Sequence, residues 1–471
     1  MKKAFIGPRI QRLREDLGLS QAELARRLGL SPSYLNQIEH NQRPLTATVL
    51  ARINTTLGIE VQLFTEEEEA RLVADLREAL GESSGEEAIP LGDIKSLTTN
   101  MPRIGRALVA LHRRSQAAEE RLAALAAPPG ALGGALPMRR PMPYEEVRDF
   151  FYHRHNYVAE LDEAAERLVA QEGLTPGAME AGLERLLRER HDVTVTWTET
   201  DATGLNRSYD AARRVLSLSR VLSSGQRAFQ LATQLAFLDQ APLIARLTDC
   251  PQLAGADARA LARIGLANYF AGAVLLPYAP FLAAAEALAY DIDLLGLRFG
   301  VGFETVCHRL STLQRAEARG VPFFFVRVDR AGNISKRQSA TDFHFSRVGG
   351  TCPLWNVYEA FAHPGRIVTQ MAAMPDGRTY LWIARTVDHS RTGFGTPGKT
   401  FAIGLGCDLR HASKLVYARG LDLAHPEAAI PIGAGCKVCE RPSCPQRAFP
   451  PLGRAVRLDE HHSAFDPYPA R

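Results

Sequence analysis

Apolar residues along the chain follow two rhythms. Up to about residue 319 they recur every three to four positions, the period of helices with one buried face. Residues 8–65 read as short helices joined by tight turns, and residues 66–125 as longer helices with an apolar period around Ile104, Leu108 and Leu111. Residues 127–143, rich in Pro, Gly and Ala, read as a linker. Helical periodicity returns from Tyr144 to His191 and from Gly225 to Ala316, with VTVTW between them as a strand. After Gly320 the rhythm changes. PFFFVRV–DRAGN–ISKRQ and RIVTQMAAM–PDG–RTYLWIARTV each read as two strands around a turn. The chain is therefore expected to be a multidomain α+β protein. It would have an all-α head (1–65), a helical connector and linker (66–143), a mainly helical middle (144–319) and a β-rich C-terminal domain (320–471).

Composition sharpens this only locally. With 471 residues, 46% hydrophobic and 23% charged, the chain is globular and too long for one ordinary core. The overall charge of +4 is mild, but residues 1–65 carry nine Lys/Arg against five Asp/Glu, and residues 66–100 three against ten. A basic head ahead of an acidic segment suits a head that meets phosphate. The start MKKAFIG lacks the apolar run of a secretory signal. The uncharged stretch Gly265–Ala285 contains Asn268, Pro277 and Pro280 and reads as a buried helix followed by a loop, so no membrane span is expected. Seven cysteines, three of them bunched near the C-terminus, suit a metal site in a reducing cytoplasm better than a disulfide framework.

The head carries the most specific motif. Ser20 with Glu23 forms a capping-box pattern, and Ala22, Leu24, Ala25 and Leu28 supply a packing face. Gly29 ends the helix, then Ser31 and Pro32 start the next. This is a helix-turn-helix, whose second helix enters the major groove. Ser33, Tyr34, Asn36 and Gln37 are its expected base-reading side chains, since Asn and Gln can bond bidentately to adenine. Gln21, Asn41 and Arg43 are placed to meet phosphates. SQAELARRLGLSPSYLNQIEHNQRPLT resembles the Xre/Cro-type helix-turn-helix family, which implies a homodimer on a palindromic double-stranded operator.

The middle region contains RAFQLATQLAF, which resembles the zinc helix of ImmA/IrrE-type peptidases. There the two His positions of H-E-x-x-H fall on Thr233 and Phe237, and the general base on Gln234. LANYFAGAVLLP resembles a second helix of that family, with Leu266 where the third ligand, a Glu, would stand. Thr and Phe cannot replace imidazole and Gln cannot take a proton from water, so no enzyme is expected. LRFGVGFETVCHRLSTLQ, also spaced as helix–turn–helix, reads as a packing element. Gly393–Thr400 satisfies a phosphate-loop pattern literally, but FAIGLGCDL follows it with strand character instead of a helix.

GCKVCERPSCPQR places Cys436, Cys439 and Cys444 in a C-x2-C-x4-C pattern, a soft-ligand set for an iron–sulfur cluster or zinc. Cys407 is the first candidate for a fourth ligand and Cys352 the second. Taken in order, these features resemble the short-chain fatty acyl transcriptional regulator family over nearly the whole chain. That resemblance implies a cytoplasmic regulator that senses a coenzyme A thioester, propionyl-CoA-like, and controls short-chain acyl-CoA, glyoxylate or propionate metabolism. It also implies a [4Fe–4S] cluster on Cys407, Cys436, Cys439 and Cys444; a redox-sensing regulator is the alternative. No crisp motif marks the coenzyme A site, and Arg213, Arg214, Tyr290 and Arg347 are candidates as cations and a stacking aromatic.

Overall fold

A computed structural model describes residues 10–11, 14, 19–40, 42–43, 49, 52, 66–83, 89–125, 143–198, 205–341, 343, 351–389, 398–439, 441, 443–450, 461, 465 and 468. The chain divides into two compact units, one of residues 1–126 and one of residues 127–451, with short later segments assigned to each. Arg347, Asn41, the linker to Met142 and residues 393–397 of the phosphate-loop pattern lie outside the described residues.

In the first unit, α1 (Gln21–Leu28) and α2 (Pro32–Glu39) form the helix-turn-helix. The Ser20 hydroxyl accepts from the Glu23 N–H, and Ser31 from the Tyr34 N–H, each satisfying a first-turn donor. Gly29 ends α1 at φ 63°, where a side chain would be strained. Leu24, Ala25, Leu28, Leu35 and Ile38 meet in a small core with Ile10 and Val49. Ala22 is exposed and takes no part in it. Then come α3 (Glu66–Ser83), α4 (Leu91–Asn100) and α5 (Pro102–Leu125), packed around Leu72, Leu76, Ile94 and Val109. The expected apolar stripe on α5 is split, with Leu108 half-buried against the core that α3 and α4 share with it. Ile104 and Leu111 are 51% and 54% exposed, while Gly105 and Val109 face α3.

The second unit begins with α6 (Pro143–Tyr152), α7 (Ala159–Glu172) and α8 (Met179–His191). A three-stranded sheet follows, in the order β1 (Thr194–Thr198), β3 (Val215–Ser219), β2 (Arg207–Asp210). Next are α9 (Ser224–Asp239), α10 (Ala241–Thr248), α11 (Ala256–Leu275), α12 (Tyr278–Ala287), α13 (Ile292–Phe299) and α14 (Phe303–Leu310). The stretch expected as helix and loop is a helix pair bent by 61° at a short break. Both its helices are largely buried, and among the described residues no single helix is long and apolar enough to cross a membrane. The α13–α14 pair packs inward through Phe299, Phe303, Val306 and Leu310.

The chain ends in a six-stranded sheet built from β4 (Phe324–Val328), β5 (Ile334–Ser339), β6 (Val368–Ala373), β7 (Thr379–His389), β8 (Lys399–Asp408) and β9 (Ile430–Pro431). Their order is β5-β4-β8-β7-β6-β9, and both expected hairpins are antiparallel pairs. Both faces of the central strands are covered, which explains their nearly unbroken apolar runs. Phe325, Leu381, Ile383, Ile403, Leu405 and Cys407 join the core of the helices before them. Phe324, Val326, Trp382 and Ala384 point the other way, to a second core with Phe343, Cys352, Trp355 and Tyr380. A Cβ on Gly406 would lie 2.1 Å from the Phe324 ring, so the ring fills the space that a side chain there would need. Lys399 and Thr400, the end of the phosphate-loop pattern, start a strand and not a helix.

Candidate functional site

The recognition helix is braced from behind. Gln21 Nε2 donates to Asn36 Oδ1 at 3.1 Å and to Glu39 Oε2 at 2.8 Å. Arg14 Nε reaches the other oxygen of the buried Glu39 at 2.8 Å. The Gln21 side chain is thus committed inside the domain, and the exposed first-turn N–H groups are what it leaves for a phosphate. Ser33 and Asn36 are exposed, Tyr34 and Gln37 half-buried, and the Arg43 guanidinium lies 5.6 Å from the Tyr34 ring centroid. Asn36 keeps its amide nitrogen and a carbonyl lone pair for a base edge.

In the second unit, α6, α11, α14 and the β4–β5 hairpin enclose a cavity of about 690 Å³, a size that holds a cofactor-sized ligand. One wall presents apolar Tyr144, Phe151, Leu261 and Ile264, with Glu145, Arg148 and Asn268 among them. The other is cationic, with Arg327, Lys336 and Arg337 beside His308 and Gln338. Arg327 is fixed by Glu304 at 2.9 Å and by Ser335 at 2.8 Å. Burial and the Lys336, Arg309 and Arg327 charges hold His308 well below the usual histidine range, so it is neutral at pH 7. Burial, with Arg327 adding to it, lowers Lys336 to about 8. Beneath the cavity the Tyr269 hydroxyl donates to Asp162, which pairs with the buried Arg309.

None of the three described coenzyme A candidates lines this cavity. Arg213 and Arg214 sit in the β2–β3 turn, paired with Asp210 at 3.8 Å and Asp192 at 3.4 Å. Tyr290 is buried against Phe323, and its hydroxyl accepts the Val321 N–H at 3.2 Å, so it is a core residue. Sequence reasoning missed the cavity residues. The only local signal was the clustering of four cations, Arg327, Arg330, Lys336 and Arg337, on one hairpin.

The retired zinc helix, α9, supplies none of the residues that line this cavity and packs on α11, which does line it. Helices α9 and α11 pack together, with Thr233 and Leu266 buried between them. Thr233 Oγ1 donates to the Phe229 carbonyl at 2.7 Å and approaches Asn268 Oδ1 at 3.5 Å, and Asn268 lines the cavity. The Arg207 guanidinium covers the Phe237 ring at 5.4 Å, so the second former ligand position is capped by a cation. A hydroxyl and two hydrocarbon side chains hold neither metal nor hydrolytic water.

The cysteines divide between the two faces of the six-stranded sheet. Cys407 belongs to the helix-side core, beside Leu405 and away from the other cysteines, and burial pushes its thiol up strongly. Cys352 lies on the opposite face, its thiol raised to about 11 by burial, with Cys439 and Cys444 close enough to add to the effect. Cys436 accepts the Ala448 N–H at 3.2 Å, and Trp355 donates to the Gly433 carbonyl at 3.0 Å, tying this segment to the Cys352 face. Cys407 thus lies on the opposite face of the sheet from Cys352, beside which Cys439 and Cys444 stand. Arg447 is buried there; its Nη2 donates to the Cys439 and Arg441 carbonyls, and its Nε and Nη1 are unpaired among the described residues. Soft thiols around a buried cation fit an anionic thiolate–metal group in kind. Among the described residues, no three His, Cys, Asp or Glu side chains converge as metal ligands do.

Comparison with known proteins agrees with this arrangement. Residues 10–64 match a helix-turn-helix family, residues 188–311 the IrrE N-terminal-like domain, and residues 312–468 the short-chain fatty acyl coenzyme A regulator, C-terminal. HTH-type transcriptional regulator PrpR of Mycobacterium tuberculosis is 52% identical over 466 residues, 99% of this chain and 96% of that protein. RamB of the same species is 51% identical over 474 residues, 99% of each chain. A propionyl-CoA carboxylase regulator of Cereibacter sphaeroides is 44% identical over 467 residues, again 99% of each. A solved Mycobacterium tuberculosis transcriptional regulator superposes with a TM-score of 0.68 at 57% identity, covering 70% of this chain and all of that one. With a helix-turn-helix head, a peptidase fold stripped of its metal ligands and this degree of identity, the chain belongs to the short-chain fatty acyl coenzyme A regulators, a family of DNA-binding transcription regulators and not of enzymes.

Proposed function

We propose that the chain is a cytoplasmic one-component regulator that binds a short-chain acyl-CoA, propionyl-CoA-like, in the α6–α11–hairpin cavity. It then changes its grip on operators of short-chain acyl-CoA, glyoxylate or propionate genes. The observation that carries this reading is the two-sided cavity. Arg327, Lys336 and Arg337 suit the phosphates of coenzyme A, and Leu261, Ile264 and Phe151 suit its pantetheine arm and acyl tail. The name of one relative, a propionyl-CoA carboxylase regulator, points to propionyl-CoA metabolism. On the DNA side, Ser33, Tyr34, Asn36 and Gln37 read bases, while Gln21, Asn41 and Arg43 meet phosphates, in a homodimer. Titration calorimetry of the whole chain tests the cavity. Propionyl-CoA gives a saturable heat, propionate alone gives none, and Ile264→Glu weakens binding about tenfold, roughly 1.4 kcal/mol. Unchanged affinity in that variant places the ligand elsewhere.

A second input is favoured by the buried guanidinium of Arg447, whose Nε and Nη1 have no partner among the described residues. Cys436, Cys439, Cys444 and Cys352 would hold an iron–sulfur cluster, or zinc in its place, on that face. Such a group supplies sensitivity to oxidants or a structural tie. Anaerobically purified protein is then brown, and Cys352→Ala loses the colour while Cys407→Ala keeps it. Colour retained by Cys352→Ala and lost by Cys407→Ala contradicts the assignment by face.

A further inference from the structure

We propose that α5 is the dimerisation helix of the chain, its outward apolar row pairing with the same row of a second copy as a parallel two-stranded coiled coil. The proposal deepens the homodimer reading and rests on it. Helix α5 runs for 24 residues without a break, long enough for about three heptads. One side is already used: Gly105 lies against Leu72 and Leu76 of α3, and Val109 is buried. A second apolar row lies about a quarter-turn round the helix. In it Ile104 is 51% and Leu111 54% exposed, with Leu108 half-buried at the boundary between the two sides. Met101, whose carbonyl accepts the Ile104 N–H just ahead of the helix, adds a further exposed apolar side chain.

Spacing separates this row from scattered surface hydrophobics. From Ile104 it continues at alternate steps of four and three through Leu108 and Leu111 to Leu122 and Leu125, with small residues only at Ser115 and Ala118. These are the d and a positions of successive heptads, the seam of a coiled coil. The flanking charges choose the occupant and its direction. A parallel pair in register sets each g residue against the next e residue of the other helix, here Arg114 against Glu119, and two-fold symmetry makes that attraction twice. An antiparallel pair would set g against g, with Arg114 and Arg121 among like charges. The same surface on both copies closes a dimer with one two-fold axis, the symmetry of a palindromic operator. The seam and the recognition helix also belong to one compact unit, so the dimer is a property of the DNA-binding part of the chain.

Sedimentation of the full chain over a concentration series reads the dimer Kd. Leu111→Glu puts a charge at a position exposed in the single chain but inside the seam. It raises that Kd about tenfold or more and leaves the helix content by circular dichroism unchanged. Arg114→Glu raises the Kd about threefold, and adding Glu119→Arg restores it, a rescue that a merely structural role does not give. Under mild oxidation, Ile104→Cys and Ser115→Cys each join to the same position of the second copy, located by peptide mass spectrometry. If the parent is dimeric and Leu111→Glu is equally so, α5 is not the interface and the homodimer reading stands. If Leu111→Glu breaks the dimer but neither cysteine joins to its counterpart, the parallel pairing is overturned. A parent that stays monomeric at every soluble concentration overturns both the seam and the homodimer.

Discussion

Asp162 and Arg309 form an ion pair buried under the ligand cavity, with Tyr269 bridging it to α11 and Arg309 Nε also donating to the Leu276 carbonyl at 2.9 Å. Removing one partner leaves a charge with no water and no counter-ion. Asp162→Ala is expected to cost about 3–5 kcal/mol in urea unfolding. The double change Asp162→Leu with Arg309→Met should recover most of that loss. A single variant as stable as the parent would show the pair to be dispensable. The Ser31 cap is a smaller case. Ser31→Ala frees the Tyr34 N–H and should cost about 1 kcal/mol, read as a lower melting temperature of the first unit. At the operator, Asn36→Ala and Gln37→Ala should each lose about 1–3 kcal/mol of discrimination at one base pair, with little change in non-specific binding. Full site selectivity in both variants, measured by competition at fixed salt, would move base reading to other side chains.

At the scale of elements, Gly406 shows why the sheet tolerates so little. The Phe324 ring fills the space beside it, and Gly406→Ala should lower stability by about 1–3 kcal/mol through overpacking, measured by denaturant unfolding. The helix-turn-helix was legible because its signals are local: two serine caps, a left-handed glycine and a proline at the first turn. The C-terminal hairpins were legible because DRAGN and PDG announce their turns. The β2–β3 hairpin was not. Its turn has neither glycine nor asparagine, and is closed by the Asp210 carboxylate accepting from the Ala212 and Arg213 N–H groups, with Arg214 at φ 54°. The stripe of Ile104, Leu108 and Leu111 packs inward only at Leu108, for another reason. Period alone does not say which of two apolar faces a helix buries, and α5 buries the side with Gly105, where α3 can approach. The cysteine set failed in the same way at Cys407. One residue of register decides which face of a strand a thiol occupies, and spacing along the chain does not reveal it.

For the molecule as a whole, the cavity was beyond sequence reading because its walls come from Tyr144 through Thr351, with no contiguous motif. Arg213, Arg214 and Tyr290 had the right chemistry but are used for a turn and a core. With Thr233 and Leu266 in place of metal ligands, the old catalytic helix packs on α11, whose Leu261, Ile264 and Asn268 line the cavity. A regulator built this way responds only if its ligand binds one of two states better than the other. The measurement that tests this most directly is operator binding by the full chain at one stated salt concentration, titrated with propionyl-CoA, acetyl-CoA, free coenzyme A and propionate. A short-chain acyl-CoA should shift the apparent Kd by about tenfold, propionate should do nothing, and Ile264→Glu should move the response to about tenfold higher acyl-CoA while leaving ligand-free DNA binding intact. An operator affinity that is indifferent to every thioester, in a protein that still binds DNA, would contradict the acyl-CoA reading.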